Sequence, residues 1–307
     1  MFEKIRTKKK NVPTSTETAA LVALKISVLL KGGMSLSRAV EHLSEQSGRL
    51  SDIAKRVKAR TDNSVSIPHA FAQEDEPCWR AFAVSLEVAR RSGAPIAHSC
   101  ERLSQAFLKI DSLQKKREVL LAGPKSTVVL ITLLPLLSIA ISSFLGVDVL
   151  DELYSPRGIM LLILGVSLLI SGVLWALVMI RNVARSDSVE GIELDLLWVA
   201  LAGGQSPQNA IRLVADCADA LRAEWIPLNS FTKRSPVNLI LQTAKESGSP
   251  IRPLLGSEAD SKRQSTQTFL EKKAESLAIK ILLPLGFFIL PSFVVLGVLP
   301  LVMALMS

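Results

Sequence analysis

Ser126 to Ile180 reads STVVLITLLPLLSIAISSFLGV, then DVLDELYSPR, then GIMLLILGVSLLISGVLWALVMI, and this stretch decides the fold. Its outer blocks, 126–147 and 158–180, are 22 and 23 residues long and contain no charged side chain. A helix rising about 1.5 Å per residue needs about 20 apolar residues to cross the hydrocarbon core of a bilayer. The connector 148–157 holds Asp148, Asp151 and Glu152 against a single Arg157. The pattern is that of a transmembrane hairpin with a short acidic loop. A pair of buried helices in a soluble core rarely runs this long without a charge. The chain contains a single Tyr, which rules out a broad aromatic belt and leaves Trp175, near the end of the second block, as an interfacial anchor.

A third uncharged block, 281–306, follows Lys272, Lys273 and Lys280 and contains Pro284, Pro291 and Pro300. Proline is tolerated inside spans where neighbouring groups re-satisfy the freed carbonyls, so kinks are expected there. The remainder is polar and helical in pattern. The sequence therefore predicts an all-α polytopic membrane protein with three transmembrane helices and two repeated cytoplasmic helical lobes. The expected boundaries are a basic disordered tail 1–16, lobe 1 at 17–125, spans at 126–147 and 158–180 around an external loop 148–157, lobe 2 at 181–280, and a last span at 281–306. With 49% apolar and 21% charged residues and a mean hydropathy of +0.34, the composition suits spans joined to sizeable soluble parts.

The net charge of +8 raises the question of nucleic acid, and its distribution answers it. Residues 1–125 hold 22 Lys and Arg against 13 Asp and Glu, whereas 181–280 are nearly balanced at 13 against 12. The excess sits ahead of the first span, with Lys115, Lys116, Arg117 and Lys125 just before it and Arg181 and Arg185 just after the second. That is the positive-inside pattern of a cytoplasmic N-terminus. With three spans the C-terminus is then external. The lipid bilayer is the partner implied, and no nucleic acid. The basic run Lys4 to Lys10 suits an anionic lipid surface. No signal peptide is read, because Lys25 and Ser27 interrupt the first apolar run.

The search for chemistry returns little. Cys78, Cys100 and Cys217 form no CxxC pair, so neither a disulfide framework nor a zinc site is supported. His42, His69 and His98 are isolated, and Glu74, Asp75 and Glu76 read as a solvated loop. No phosphate-binding GxxxxGK[ST] occurs. The spans lack any Asp, Glu, Lys, Arg or His, the residues that mark a transport pathway. The expectation is a protein that is not an enzyme and needs no cofactor or metal.

Local turn chemistry organises the lobes. Helices are expected to end at Gly32–Gly33 and Gly203–Gly204, with Ser35 and Ser206 capping the helices that follow. Two further turns, SGAPI at 92–96 and SGSPI at 247–251, place Gly93 and Gly248 where one helix stops and Pro95 and Pro250 where the next begins. A short basic helix is expected from Ser51 or Asp52 to about Arg60, and a long helix from Pro95 to near Gly123–Pro124, where a junction is expected. The glycine pairs recur 171 residues apart and the SGxPI turns 155 apart. Each lobe then runs into a span containing LLP, at Leu133–Pro135 and Leu282–Pro284. The same order of turn, motif and span argues for an internal repeat in which lobe 1 has an extra element near residues 48–66.

The order lobe, two spans, lobe, span resembles the type II secretion F-domain proteins. Within that group, 122–158 (AGPKSTVVLITLLPLLSIAISSFLGVDVLDELYSPRG) is similar to TadB and 283–302 (LPLGFFILPSFVVLGVLPLV) to TadC of the tight-adherence (Tad/Flp) pilus. The chain thus resembles a TadB–TadC fusion, but is shorter than a typical secretion F protein and lacks the N-terminal spans of separate TadB and TadC proteins. The resemblance implies a platform in the cytoplasmic membrane, homo- or hetero-oligomeric, between a secretion ATPase and pilin or pseudopilin subunits. The rival reading is a membrane receptor or signalling scaffold with helical lobes; a transporter fits less well. Lys55, Arg56, Lys58 and Arg60, within six residues of the extra element, are the candidate docking surface for the cytoplasmic partner.

Overall fold

The computed structural model describes residues 14–144, 156–184, 191–226, 231 and 236–306. Residues 1–13 of the expected tail and 148–155 of the expected external loop lie outside the described residues. The elements are α1 (Ser15–Lys31), α2 (Leu36–Glu45), α3 (Arg49–Asp62), α4 (Ile67–Ala72), α5 (Pro77–Ser92), α6 (Ile96–Phe144), α7 (Pro156–Ala184), α8 (Ile192–Ala202), α9 (Pro207–Ala220), α10 (Pro236–Ser247) and α11 (Ile251–Lys280). A last helical run, 282–306, is α12; it passes through π-helical turns at Leu285–Ile289 and Val294–Val298. Among the described residues there is no strand, so the fold is all-α.

The start and stop signals act locally. Thr14 caps α1 by accepting a hydrogen bond from Glu17 N at 3.0 Å, and Ser35 caps α2 by accepting from Arg38 N at 3.3 Å. Gly33, Gly93, Gly204 and Gly248 adopt φ of +87°, +78°, +80° and +65°, a left-handed region open to glycine at little cost. Gly32 and Gly203 sit at −76° and −84°, an ordinary right-handed conformation. Gly203 is fixed by a different constraint. Its backbone lies so close to the Ser92 carbonyl that an added Cβ would collide with it.

Two differences from the sequence reading concern helix ends. The basic helix starts at Arg49 with Gly48 as its cap, not at Ser51 or Asp52. Ser51 is instead buried in its first turn. The junction expected at Gly123–Pro124 is absent: α6 continues for 49 residues with Pro124 and Pro135 inside it. A proline removes one intrahelical bond and kinks a helix without ending it when packing supplies the rest.

The chain divides into two compact units. The first comprises Met1–Gln114 and Ser188–Thr266. The stretches expected as two lobes share a single apolar core here, drawn from both segments: Ile26, Leu43, Phe71, Phe82 and Phe107 from one, Leu194, Leu196, Val214 and Leu255 from the other. The central α5 is buried nearly all round and packs on α1, α4, α8 and α9. Phe71, Trp79 and Phe82 form its aromatic cluster, with ring centroids 5.0–6.4 Å apart. Each such fully buried ring contributes on the order of 1.5–3 kcal/mol.

The second unit comprises Lys115–Asp187 and Gln267–Ser307. The stretches long and apolar enough to cross a membrane are Ile96–Pro135, Gly158–Val183 and Ile251–Val298. Their surfaces expose large apolar side chains, among them Leu130, Ile163, Leu174, Phe287 and Leu290. A water-soluble surface does not carry so broad an apolar face; a lipid-facing one does. Inside, small residues set the approach. A Cβ on Gly172 would lie 2.8 Å from Phe288 Cβ, and one on Gly165 would collide with Leu296. The buried Ser292 hydroxyl donates to Gly165 O at 2.7 Å. Trp175, expected as an interfacial anchor, packs edge-on against Phe288 at 5.6 Å between centroids.

Candidate functional site

The candidate docking helix α3 is held by its own charges. Leu50, Ile53, Ala54 and Val57 fall on one face and turn into the core, which directs the basic residues away from it. Arg56 Nε donates to both carboxylate oxygens of Glu74 at 3.1 Å, and Arg56 Nη2 donates to Glu74 Oε2 at 2.5 Å. Arg60 Nη1 donates to Glu74 Oε1 at 2.6 Å and to Ala70 O at 2.8 Å. Lys58 Nζ donates to Glu41 Oε1 at 2.6 Å. Lys55 alone of the four makes no ion pair among the described residues, and it is exposed.

Glu74 is therefore not a solvated loop residue. It is buried at 6% exposure and clamps α3 to the turn after α4. Burial pushes its carboxyl up, but the hydrogen bonds from Arg56 and Arg60 outweigh this and hold it below the usual carboxylate value. Three of the four candidate docking residues thus serve the internal fold. A similar clamp ends α5, where Arg90 and Arg91 grip the buried Glu87 at 2.7 and 2.6 Å. The Arg90 hydrogen bond, against the cost of burial, lowers the Glu87 pKa to about 2.

The sequence reading missed a buried charge network at the core of the first unit. Asp195, on α8, is 1% exposed and accepts from Arg102 Nε at 2.7 Å and from Arg263 Nη2. Glu193, two residues before it, accepts from Lys262 Nζ at 2.7 Å. Asp260 takes Lys109 Nζ at 2.7 Å and lies 3.4 Å from Arg263 Nη1. Trp198 adds an aromatic face beneath the Arg252 guanidinium, 4.1 Å from its centroid. These contacts tie α6 to α8 and α11. A signal existed: Glu193 and Asp195 interrupt IELDLLWVALA, a helix otherwise wholly apolar. Carboxylates in such a helix must find buried partners.

His42, His69 and His98 are exposed on separate elements, and His69 Nδ1 lies 2.8 Å from Ser66 Oγ. The three cysteines are buried, and burial raises the thiols of Cys78 and Cys100 to about 12 and that of Cys217 to about 11. Among the described residues no cluster of His, Cys, Asp or Glu could hold a metal ion. What the site can do is hold two sequence-distant segments together by paired charge.

Residues 23–143 match the family model described as type II secretion system (T2SS), protein F. The match begins within α1 and ends one residue before the end of α6, so it takes in α2 to α5 and the first span. No curated protein matches the chain.

Proposed function

We infer, because the chain carries a type II secretion system F domain at residues 23–143 and so belongs to that family, that it is a cytoplasmic-membrane platform coupling a secretion ATPase to pilin assembly or protein export. The machine is of the tight-adherence (Tad/Flp) type, and the chain is the TadB–TadC fusion that its two membrane stretches resemble. It works without catalysis of its own. The N-terminus and both halves of the helical unit lie in the cytoplasm, and the 148–157 loop and the C-terminus lie outside.

The observation that supports this reading best is helix continuity. Helix α6 runs unbroken from a charged, soluble-type sequence into an apolar span, and α11 leads into α12 with the same change of character. A continuous helix transmits displacement along its axis, whereas a flexible joint would absorb it. At about 1.5 Å per residue a helix of this length reaches about 70 Å. Among the α3 residues, Lys55 is the one whose reversal probes docking without breaking an internal ion pair. Such a contact would weaken with salt.

A flexible Gly-Ser insert after Gly123 tests the coupling. The expected variant remains in the membrane and still co-purifies with the cognate ATPase, but assembles no pili and exports no substrate in the native host. Normal assembly by that variant would remove helix continuity from the mechanism. Deletion of the gene with no effect on surface fibres or export would remove the platform reading itself.

A further inference from the structure

We propose that this protein binds a second copy of itself head to tail, the α1–α2 hairpin of one copy seated on α10 of the next. Two hairpins share their turn chemistry but differ in what covers them. The α1–α2 turn is GGMSLSRAV at 32–40, and the α8–α9 turn is GGQSPQNAI at 203–211. In each the second glycine is left-handed, and Ser35 and Ser206 cap the following helix through Arg38 N and Asn209 N at 3.3 and 3.4 Å. Two receiving helices correspond in the same way. Helix α5 ends in SGAPI and α10 in SGSPI, with Gly93 and Gly248 both left-handed.

Within the chain, the α8–α9 hairpin occupies α5. Gly203 meets the Ser92 carbonyl, Arg80 pairs with Glu224 at 2.7 Å just past α9, and Val199 and Ala200 ahead of Gly203 are buried. On the receiving side Glu87 and Ser92 are 2% and 5% exposed. The matching halves are open. By register from the glycine pair, Val199 corresponds to Val28, which is 60% exposed, and Leu24 and Met34 beside it are each 40% exposed. A Cβ on Gly32 would meet only carbonyls of its own helix. By register from the SGxPI turn, Glu87 and Ser92 correspond to Gln242 and Ser247, both exposed.

Between α9 and α10 lies a groove of about 820 Å³ with Ile211, Leu241, Lys245 and Ile251 in its lining. Each chain therefore makes the hairpin-on-helix contact once and presents one unused half at each end. The α1–α2 hairpin has the same glycine turn, the same cap and an exposed apolar face, so a second copy supplies the complementary half. An interface of this kind is heterologous: it closes into a ring when the rotation allows and otherwise extends.

The test uses the full-length protein in native membranes, with a photoreactive phenylalanine analogue at Val28. Irradiation should give a product of twice the chain mass, with the adduct mapping to residues 236–251 of the other copy. Gly32→Leu should lower that product by about tenfold. It should keep the protein folded and in the membrane, since Gly32 has an ordinary φ of −76° and its added Cβ would sit 3.3 Å from the Leu29 carbonyl, a contact that a shift of a few tenths of an ångström relieves. The absence of a product of twice the chain mass, adducts on another surface or another protein, or undiminished crosslinking by Gly32→Leu would overturn the proposal.

Discussion

Replacing Asp195 by leucine tests whether the buried charge network holds the helical unit together. Asp195 is 1% exposed and is shared by Arg102 and by Arg263, itself only 5% exposed. Removing the carboxylate leaves the buried Arg263 guanidinium with only its longer 3.4 Å contact to Asp260, while Glu193 Oε2 and Arg263 Nε already lack a hydrogen-bond partner among the described residues. Breaking a buried pair from one side costs about 3–5 kcal/mol. In a unit of this size each kcal/mol moves the melting temperature by about 2–4 °C, so the expected fall is about 6–20 °C. The double variant Asp195→Leu/Arg263→Met removes both charges and should recover most of the loss, because a well-packed apolar pair is close to neutral relative to a buried ion pair. The assay is tryptophan fluorescence melting of the full-length protein in detergent, with Trp198 on the same helix as reporter. A single variant that melts within about 2 °C of the parent, or a double variant no better than the single, would refute the reasoning.

Three further outcomes are expected. Gly93→Val forces a β-branched residue to φ +78° and should cost about 1–2 kcal/mol, read as a lower melting temperature; a melting temperature equal to the parent's would count against the left-handed turn. The Glu87 pKa of about 2 lies below its unfolded value, so its clamp adds stability above about pH 4.3 and loses it as pH falls toward 2. Arg90 and Arg91 are 61% and 43% exposed, so screening trims the gain to about 1–2 kcal/mol; the gap between Glu87→Gln and the parent should narrow steadily from pH 5 to pH 2.5, and a constant gap would count against it. For orientation, a cysteine at the exposed Ala59 should stay unlabelled by an impermeant thiol reagent in whole cells while one at Ser155 reacts, and the reverse pattern would invert the proposed topology.

The sequence made the spans legible because an uncharged run of over 20 apolar residues has few physical solutions. The turns at Gly33, Gly93, Gly204 and Gly248 were legible for a local reason: glycine and proline restrict backbone angles whatever surrounds them. The continuity of α6 through Pro124 was not, since whether a proline ends or merely bends a helix depends on packing supplied from elsewhere. The same holds for the charges of α3. Arg56 and Glu74 are 18 residues apart, and nothing in their spacing says that one closes on the other. Lys55, Arg56, Lys58 and Arg60 looked like one patch along the chain; in space Arg56 and Arg60 belong to Glu74 and Lys58 belongs to Glu41.

The shared core of the first unit bears on the proposed orientation: by an argument independent of charge, it puts both halves of that unit on one side of the bilayer. Leu43 and Phe82 lie in the same apolar cluster as Leu196 and Val214, yet the two membrane stretches at 126–147 and 158–180 separate them in sequence. Side chains in one close-packed core must be on one side of a bilayer. The chain between them must therefore cross an even number of times, and two crossings is what the hairpin supplies. A third apolar run then follows residue 280, and the parity becomes odd at the C-terminus. Which side the core lies on comes from charge: under the proposed orientation the excess of Lys and Arg ahead of the first span faces the cytoplasm, and parity then predicts an external C-terminus. If Ala59 and a site on the α9 surface labelled from opposite sides, the shared core itself would be wrong, whatever the charges say.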